Sequence, residues 1–397
     1  MTLQPLLAFG LPGITGLGLW LWAPSYRKAR AAALTVSLVL IVIAVQMIEA
    51  TAGGEVFVHA MGNWKPPFGI VFAVDRLSAL FVLLQSLVLF VTIALLRAET
   101  HGESTAIRAY PILFMLSEGL MGAFMTGDLF NLFVMFELVL LASYMLLQIP
   151  GTRRSLRAGF ANISINLIAS ALFFAGVGIL YGACGSVNMA DLSMRIGDAH
   201  EGLKVAGLTM LVVAFTIKAG ILPIVFWLPS TYPTLTGPVA ALFAGMMTKL
   251  GVYALMRTAP LLMQGTILPE VLVWAGAASA LLGVLAALAQ YEIRRLLGFH
   301  IVSQVGYMIL GLGLLTVTGL AGAIFYLSHH ILVKATLYFV GDELERRNGT
   351  RDLREMDFLR SKGWALKFVF VTAAFSLAGL PPFSGFFAKI GLFKATY

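Results

Sequence analysis

Leu129-Phe130-Asn131-Leu132-Phe133-Val134-Met135-Phe136-Glu137-Leu138-Val139-Leu140-Leu141-Ala142-Ser143-Tyr144-Met145-Leu146-Leu147-Gln148-Ile149 is a nearly unbroken apolar run with one carboxylate near its middle. A helix rising about 1.5 Å per residue crosses a hydrocarbon core of ~30 Å in about 20 residues. The run is therefore long enough to span a bilayer. A charge at that depth costs at least ~2.5 kcal/mol and is retained for an ion pathway or a partner. Glu137 is thus the most informative residue of the segment.

The same pattern repeats on both sides of this segment. Apolar stretches at Leu3–Trp22, Ala31–Ala50, Ile70–Leu96, Ala109–Gly127, Leu129–Ile149, Gly159–Gly182, Val205–Trp227, Gly237–Arg257, Ile267–Ala289, Leu296–Leu315, Leu320–Gly341 and Leu366–Tyr397 predict about twelve spans. Composition agrees: 59% of the 397 residues are hydrophobic, 12% are charged and the mean hydropathy is +0.90, too little polar surface to cover a soluble globule of this size. The expected fold is an all-α polytopic membrane protein.

The net charge of +8 resides mostly in the loops. Sixteen Lys and Arg, from Arg27 to Lys362, fall in the loops of one side, against Lys65, Arg195, Lys204 and Arg257 on the other. Basic residues stay cytoplasmic, so the N-terminus is expected outside. Nucleic-acid binding is a poor explanation for such a distribution. Cys184 is the single cysteine, leaving no disulfide framework and no CxxC metal or redox pair. The first run lacks a basic leader and precedes Arg27, Lys28 and Arg30, which predicts a retained span rather than a cleaved signal.

Two spans carry breaks. The seventh contains Lys218-Ala219-Gly220-Ile221-Leu222-Pro223 and the twelfth Ala378-Gly379-Leu380-Pro381-Pro382-Phe383-Ser384-Gly385. Proline removes a backbone donor and clashes with the preceding turn, and such breaks are tolerated in mid-membrane where they line a polar cavity. Their five-span separation fits inverted repeats, as in secondary transporters, although chance Gly/Pro use gives the same appearance. The expected organisation is residues 1–108 as N-terminal spans, 109–257 as a first repeat and 258–397 as a second, incomplete one.

The remaining intramembrane ionisable residues extend the pattern. Lys218 sits two residues before Gly220 at the first break, where movement of Glu137 relative to it would switch the proton affinity of the lysine; a purely structural ion pair is the alternative. Lys249 is too far inside its span to snorkel. His300, Ser303, Gln304 and Tyr307 form one stripe at helical spacing, suited to a file of waters or to a hydrogen-bonded packing seam. Tyr326, His330 and Lys334 stand four apart on one face, with His329 rotated about 100° from it. Histidine titrates near neutral pH and can pass protons to a neighbouring lysine. Lys389 follows the second break as an exit residue or a snorkelling one. Asp75, Arg76 and Glu118 are further ionisable positions, Asp75 and Arg76 being candidates to pair at a helix start.

Several strings carry a family resemblance: Gly62-Asn63-Trp64, Pro67-Phe68-Gly69-Ile70-Val71, Asp75-Arg76-Leu77-Ser78-Ala79-Leu80, Thr126-Gly127-Asp128-Leu129-Phe130-Asn131, Lys218-Ala219-Gly220, and Arg294-Arg295-Leu296-Leu297-Gly298-Phe299-His300 with Ser303-Gln304-Val305-Gly306-Tyr307. Together with His330 and Lys334 they resemble the D-type subunit of Mrp-type multisubunit Na+/H+ antiporters, within the superfamily that includes the proton-pumping membrane subunits of respiratory complex I. The resemblance implies inverted repeats in a fold of about fourteen spans, more than this chain carries. It also implies assembly with other membrane subunits, exchange of protons against Na+, no cofactor and no resident metal. By the same resemblance Glu137 and Lys218 match a glutamate/lysine pair, Lys249 a central lysine, His330 and Lys334 a relay, and Lys389 the exit. The alternative is the proton-pumping membrane subunit of an NADH:quinone oxidoreductase or membrane hydrogenase. A haem protein with His300 and His329 or His330 as axial ligands leaves every lysine unexplained.

Overall fold

A polypeptide with so few polar side chains must satisfy its backbone internally, and helices do this segment by segment. The computed structural model describes residues 3–22, 25–357 and 363–396. Arg360 and Lys362 of the charge count, and Tyr397 at the end of the last expected span, lie outside the described residues.

The chain divides into two units, Met1–Leu156 with Asn166–Ala214, and Arg157–Ile165 with Phe215–Tyr397. The first holds α1 (Gln4–Trp22), α2 (Tyr26–Ala50), β1 (Phe57–Ala60), β2 (Val71–Val74), α3 (Arg76–Leu95), α4 (Ala98–His101), α5 (Glu103–Met125), α6 (Leu129–Gln148), most of α7 (Arg153–Cys184), α8 (Met189–Arg195) and the start of α9 (Glu201–Ala219). The second holds the end of α9, then α10 (Trp227–Thr231), α11 (Gly237–Leu262), α12 (Leu268–Leu288), α13 (Ile293–Gly313), α14 (Val317–Asn348), α15 (Trp364–Ala378) and α16 (Ser384–Lys394).

Ten of the described helices are long and apolar enough to cross a membrane. The fourth expected span coincides with α5, which is 23 residues long but carries Glu103, Arg108 and Glu118. The last is divided between α15 and α16.

The third expected span starts later than its hydropathy implies. Val71–Val74 is a strand paired antiparallel with Phe57–Ala60, Val71 opposite Ala60 and Val74 opposite Phe57. The physical reason is the cap that follows: Asp75 accepts the Ser78 N–H at 2.9 Å and fixes the helix start one residue on. The Arg76 guanidinium turns away to the end of α2, donating from Nε to the Thr51 carbonyl at 2.9 Å and from a second nitrogen to Ala52 O. A cation there complements the carbonyl end of the α2 dipole.

Both expected breaks are present. α9 stops at Ala219, and Gly220 has φ +72°, its N–H returning to Thr216 O and Ile217 O at 3.1 Å each. The Ile217 carbonyl also accepts the Trp227 indole N–H at 3.1 Å, and Leu222 N–H donates to Ser279 Oγ at 3.0 Å. Residues 221–226, expected as the continuation of the seventh span, are therefore irregular backbone held by side chains of their own unit. At the second break α15 ends at Gly379, φ +84°, and the helix resumes at Ser384.

The second unit is organised around α11, whose apolar window is buried throughout. A helix shielded on every side needs no polar face, yet this one carries Lys249. Beside it α12 and α13 approach closely: a methyl on Gly306 would meet Gly276 O and Ala280 N, and one on Gly283 would meet the Ser303 backbone. Small residues permit this in membranes, where van der Waals contact rather than hydrophobicity drives association.

Candidate proton-transfer site

Three side chains in the middle of the second unit define the site: Lys249 on α11, and His330 and Lys334 on α14. All three are fully buried. The four-residue spacing of His330 and Lys334 stacks them on one face of α14, as their positions in the sequence required. Lys249 interacts electrostatically with Lys334, and His330 with Lys249, Lys334, His329 and His300. The Lys249 ammonium donates to the Ala244 carbonyl. Lys334 Nζ and both ring nitrogens of His330 have no hydrogen-bond partner, and none of the three residues has an ion-pair partner among the described residues. Positive charges on interacting groups oppose one another.

α13 supplies the next layer. His300 interacts with Lys334 and Lys389, and its Nδ1 has no partner. Four residues on, Gln304 accepts the Tyr326 hydroxyl from α14. The Tyr307 ring lies 6.0 Å from that of Tyr326, tilted by 55°, with the Lys389 ammonium 6.0 Å from the Tyr307 ring. Ser303 departs from the stripe. Its hydroxyl donates to Ala280 O at 2.7 Å, so it belongs to the α12–α13 seam.

His329 reaches the second break. Its Nδ1 lies 2.9 Å from Ser384 Oγ, which is 3.2 Å from Ser376 Oγ. Lys389 folds back over the break and donates to the Ala378 carbonyl at 2.9 Å, one of the groups freed where α15 ends. Lys218 is buried in the last turn of α9, just before the first break.

Glu137 lies mid-way along α6 in the first unit, half-buried, and accepts a hydrogen bond from the Ser170 hydroxyl of α7. Asp75, also of that unit, is the cap of α3.

Sequence reasoning passed over Ser376 and Ser384, because hydroxyls carry no charge signal in an apolar segment. It also counted Arg294 only as a loop cation, whereas its side chain is buried against Asp342 and Glu345. Asp342 and Glu345, three apart on α14 and thus on one face, were the legible signal.

Residues 126–397 match the family model described as "NADH:quinone oxidoreductase/Mrp antiporter, TM". The chain is 39% identical to the D-type subunit of the Na(+)/H(+) antiporter of Alkalihalophilus pseudofirmus over 98% of its own length and 79% of the relative's. Among solved structures, it resembles a chain of the Mrp complex from Dietzia sp. with TM-score 0.93 and 34% identity, covering 100% of this chain and 75% of that one. A chain of an archaeal membrane-bound sulfane sulfur reductase has the same fold, with TM-score 0.94 at 24% identity over 99% of this chain and 81% of its own. Identity, coverage and fold agree: the chain belongs to the NADH:quinone oxidoreductase/Mrp antiporter family of membrane subunits and, within it, to the branch of the Mrp D-type subunits.

Proposed function

We propose that Lys249, His330 and Lys334 carry protons through the second unit of a multisubunit Na+/H+ antiporter in the bacterial cytoplasmic membrane, the N-terminus outside. The observation that carries this is the absence of counter-charge. Three fully buried basic side chains interact with one another and none has an ion-pair partner among the described residues. A static role would have selected a carboxylate partner or an apolar side chain, since a lone buried charge is costly.

A proton on one member disfavours protonation of the next, so a proton arriving at one end releases one at the other. His300, Gln304, Tyr307 and Tyr326 supply polar groups along α13 and α14, and Lys389 at the second break is the exit. Lys218 at the first break is the entry, and Glu137 of the first unit is a further proton-carrying residue. Residues 109–257 and 258–397 are the two inverted repeats of the transporter. Other subunits of the complex couple this movement to Na+.

The test is Na+-dependent proton exchange in vesicles carrying the assembled complex. Glu137→Ala, Lys218→Ala and Lys334→Ala should each abolish exchange while the complex still assembles. Unchanged exchange in all three would overturn the proposal.

A further inference from the structure

The proton path makes no use of Glu118. This carboxylate lies on α5, fifteen residues into a 23-residue helix and well within the span. It has no hydrogen-bond or ion-pair partner among the described residues, and burial alone perturbs it. It does not face a packed core. It lines a groove of about 810 Å³ between α1, α5 and α6, within the first unit.

The walls are specialised. Gly10, Gly13 and Gly16 cut away the side of α1, and a Cβ at Gly13 would collide with the Glu118 carboxylate, its Cδ at 2.5 Å and its Oε2 at 2.6 Å. Gly13 is therefore what gives the carboxylate its seat. A Cβ added at Gly16 would lie 2.8 Å from the Pro111 carbonyl, so the order of contacts runs backwards along α5 and the two helices are antiparallel along the groove. Ile14, Leu17, Trp20, Ile112, Met115 and Met145 form an apolar channel leading from Glu118. Arg108, ten residues before Glu118 and so about 15 Å along the helix, marks the other end.

We propose that this groove is a binding site for a lipophilic organic cation, its ammonium or guanidinium head on Glu118 and its apolar body along α1 and α5. Pockets of roughly 300–1,000 Å³ with apolar walls and a few placed polar groups suit ligands of this size. The sign follows from charge. An unpartnered carboxylate inside a membrane gains most from a cation that brings its own apolar shell, and Arg108 repels a second positive head at the far end. An anionic lipid would reverse the assignment, with its head on Arg108 and its chain against Glu118.

The experiment measures equilibrium binding of radiolabelled N-dodecylguanidinium to the assembled complex in nanodiscs, with dodecanol and dodecyl phosphate as matched probes. Saturable binding is expected for the guanidinium and not for dodecanol. Glu118→Gln, nearly isosteric, should weaken it on the order of tenfold or more. Gly13→Ala, which displaces the carboxylate from its seat, should weaken it through α1 without removing the acid. Arg108→Gln should leave it unchanged or tighten it. Equal binding to wild type and Glu118→Gln would overturn the site, as would saturable binding of dodecyl phosphate that depends on Arg108. Neither result bears on proton exchange, which is read separately.

Discussion

The second unit buries charge in two places and treats it in opposite ways. Near the start of α13, Arg294 donates to Asp342 Oδ1 at 2.9 Å and to the Leu235 carbonyl at 2.6 Å, and forms an ion pair with Glu345 Oε2 at 2.6 Å. Arg351 adds a contact to Glu345 Oε1 at 2.6 Å and another to Pro233 O at 2.9 Å. The Tyr338 hydroxyl holds the Arg294 carbonyl at 3.1 Å. Elsewhere in the same unit, Lys249, His330 and Lys334 have no ion-pair partner among the described residues, and Lys334 Nζ has no hydrogen-bond partner among them. Guanidinium never releases its proton and offers a fork of donors, which makes it a tie. Lysine and histidine can exchange theirs. A cluster of matched charges ties the backbone together, and one of like charges without a carboxylate is free of such ties.

The contrast breaks first at Arg294. Arg294→Ala removes the ion pairs to Asp342 and Glu345 and the hydrogen bond to the Leu235 carbonyl, so the assembled complex should lose about 3–5 kcal/mol of stability. Thermal unfolding in detergent measures it, and a small loss would mean that the cluster is no tie. Lys334→Met makes the opposite expectation. An apolar side chain of similar length removes a lone buried amine, so the unfolding temperature should hold or rise. Exchange should nevertheless fall at least tenfold, equivalent to about 1.4 kcal/mol in the barrier. Loss of stability together with activity would place Lys334 among the ties.

A control for packing alone is Gly306→Ala, which pushes α13 from the α12 backbone without touching either charge cluster. Overpacking typically costs about 1–3 kcal/mol, so a stability loss is expected that exceeds any specific loss of exchange. The smallest effect belongs to Asp352, a partly exposed member of the loop after α14. The Arg354 side-chain hydrogen bond holds its carboxyl down to about 2. Because the folded value is depressed, its contribution is present above the ordinary aspartate value and lost as pH falls through about 2. Wild type and Asp352→Asn, close in unfolding temperature at neutral pH, should converge over that acid range. A difference that grows instead would show that Asp352 has a partner beyond its own loop.

Much of the architecture was legible because the bilayer leaves the chain few options. Spans follow from length and hydropathy, and the breaks at Gly220 and Gly379 follow from glycine and proline in segments that must otherwise stay helical. The hairpin of Val71–Val74 was missed, because a short β-branched apolar run looks the same at the start of a span as in a strand. Within the site, His330 and Lys334 were legible through spacing on one helix. Ser303 was not, since a hydroxyl on a polar stripe can face water or a neighbouring carbonyl, and only packing against Ala280 decides it.

The sequence by itself determined that charge is buried in this membrane protein and on which helices, because hydropathy and helical period are local properties of the chain. Tertiary structure alone decided which of those charges are matched. Whether a basic side chain meets a carboxylate, a carbonyl or another base depends on neighbours brought by other helices: Arg294 of α13 finds Asp342 and Glu345 on α14, while Lys334 of the same α14 finds no carboxylate among the described residues.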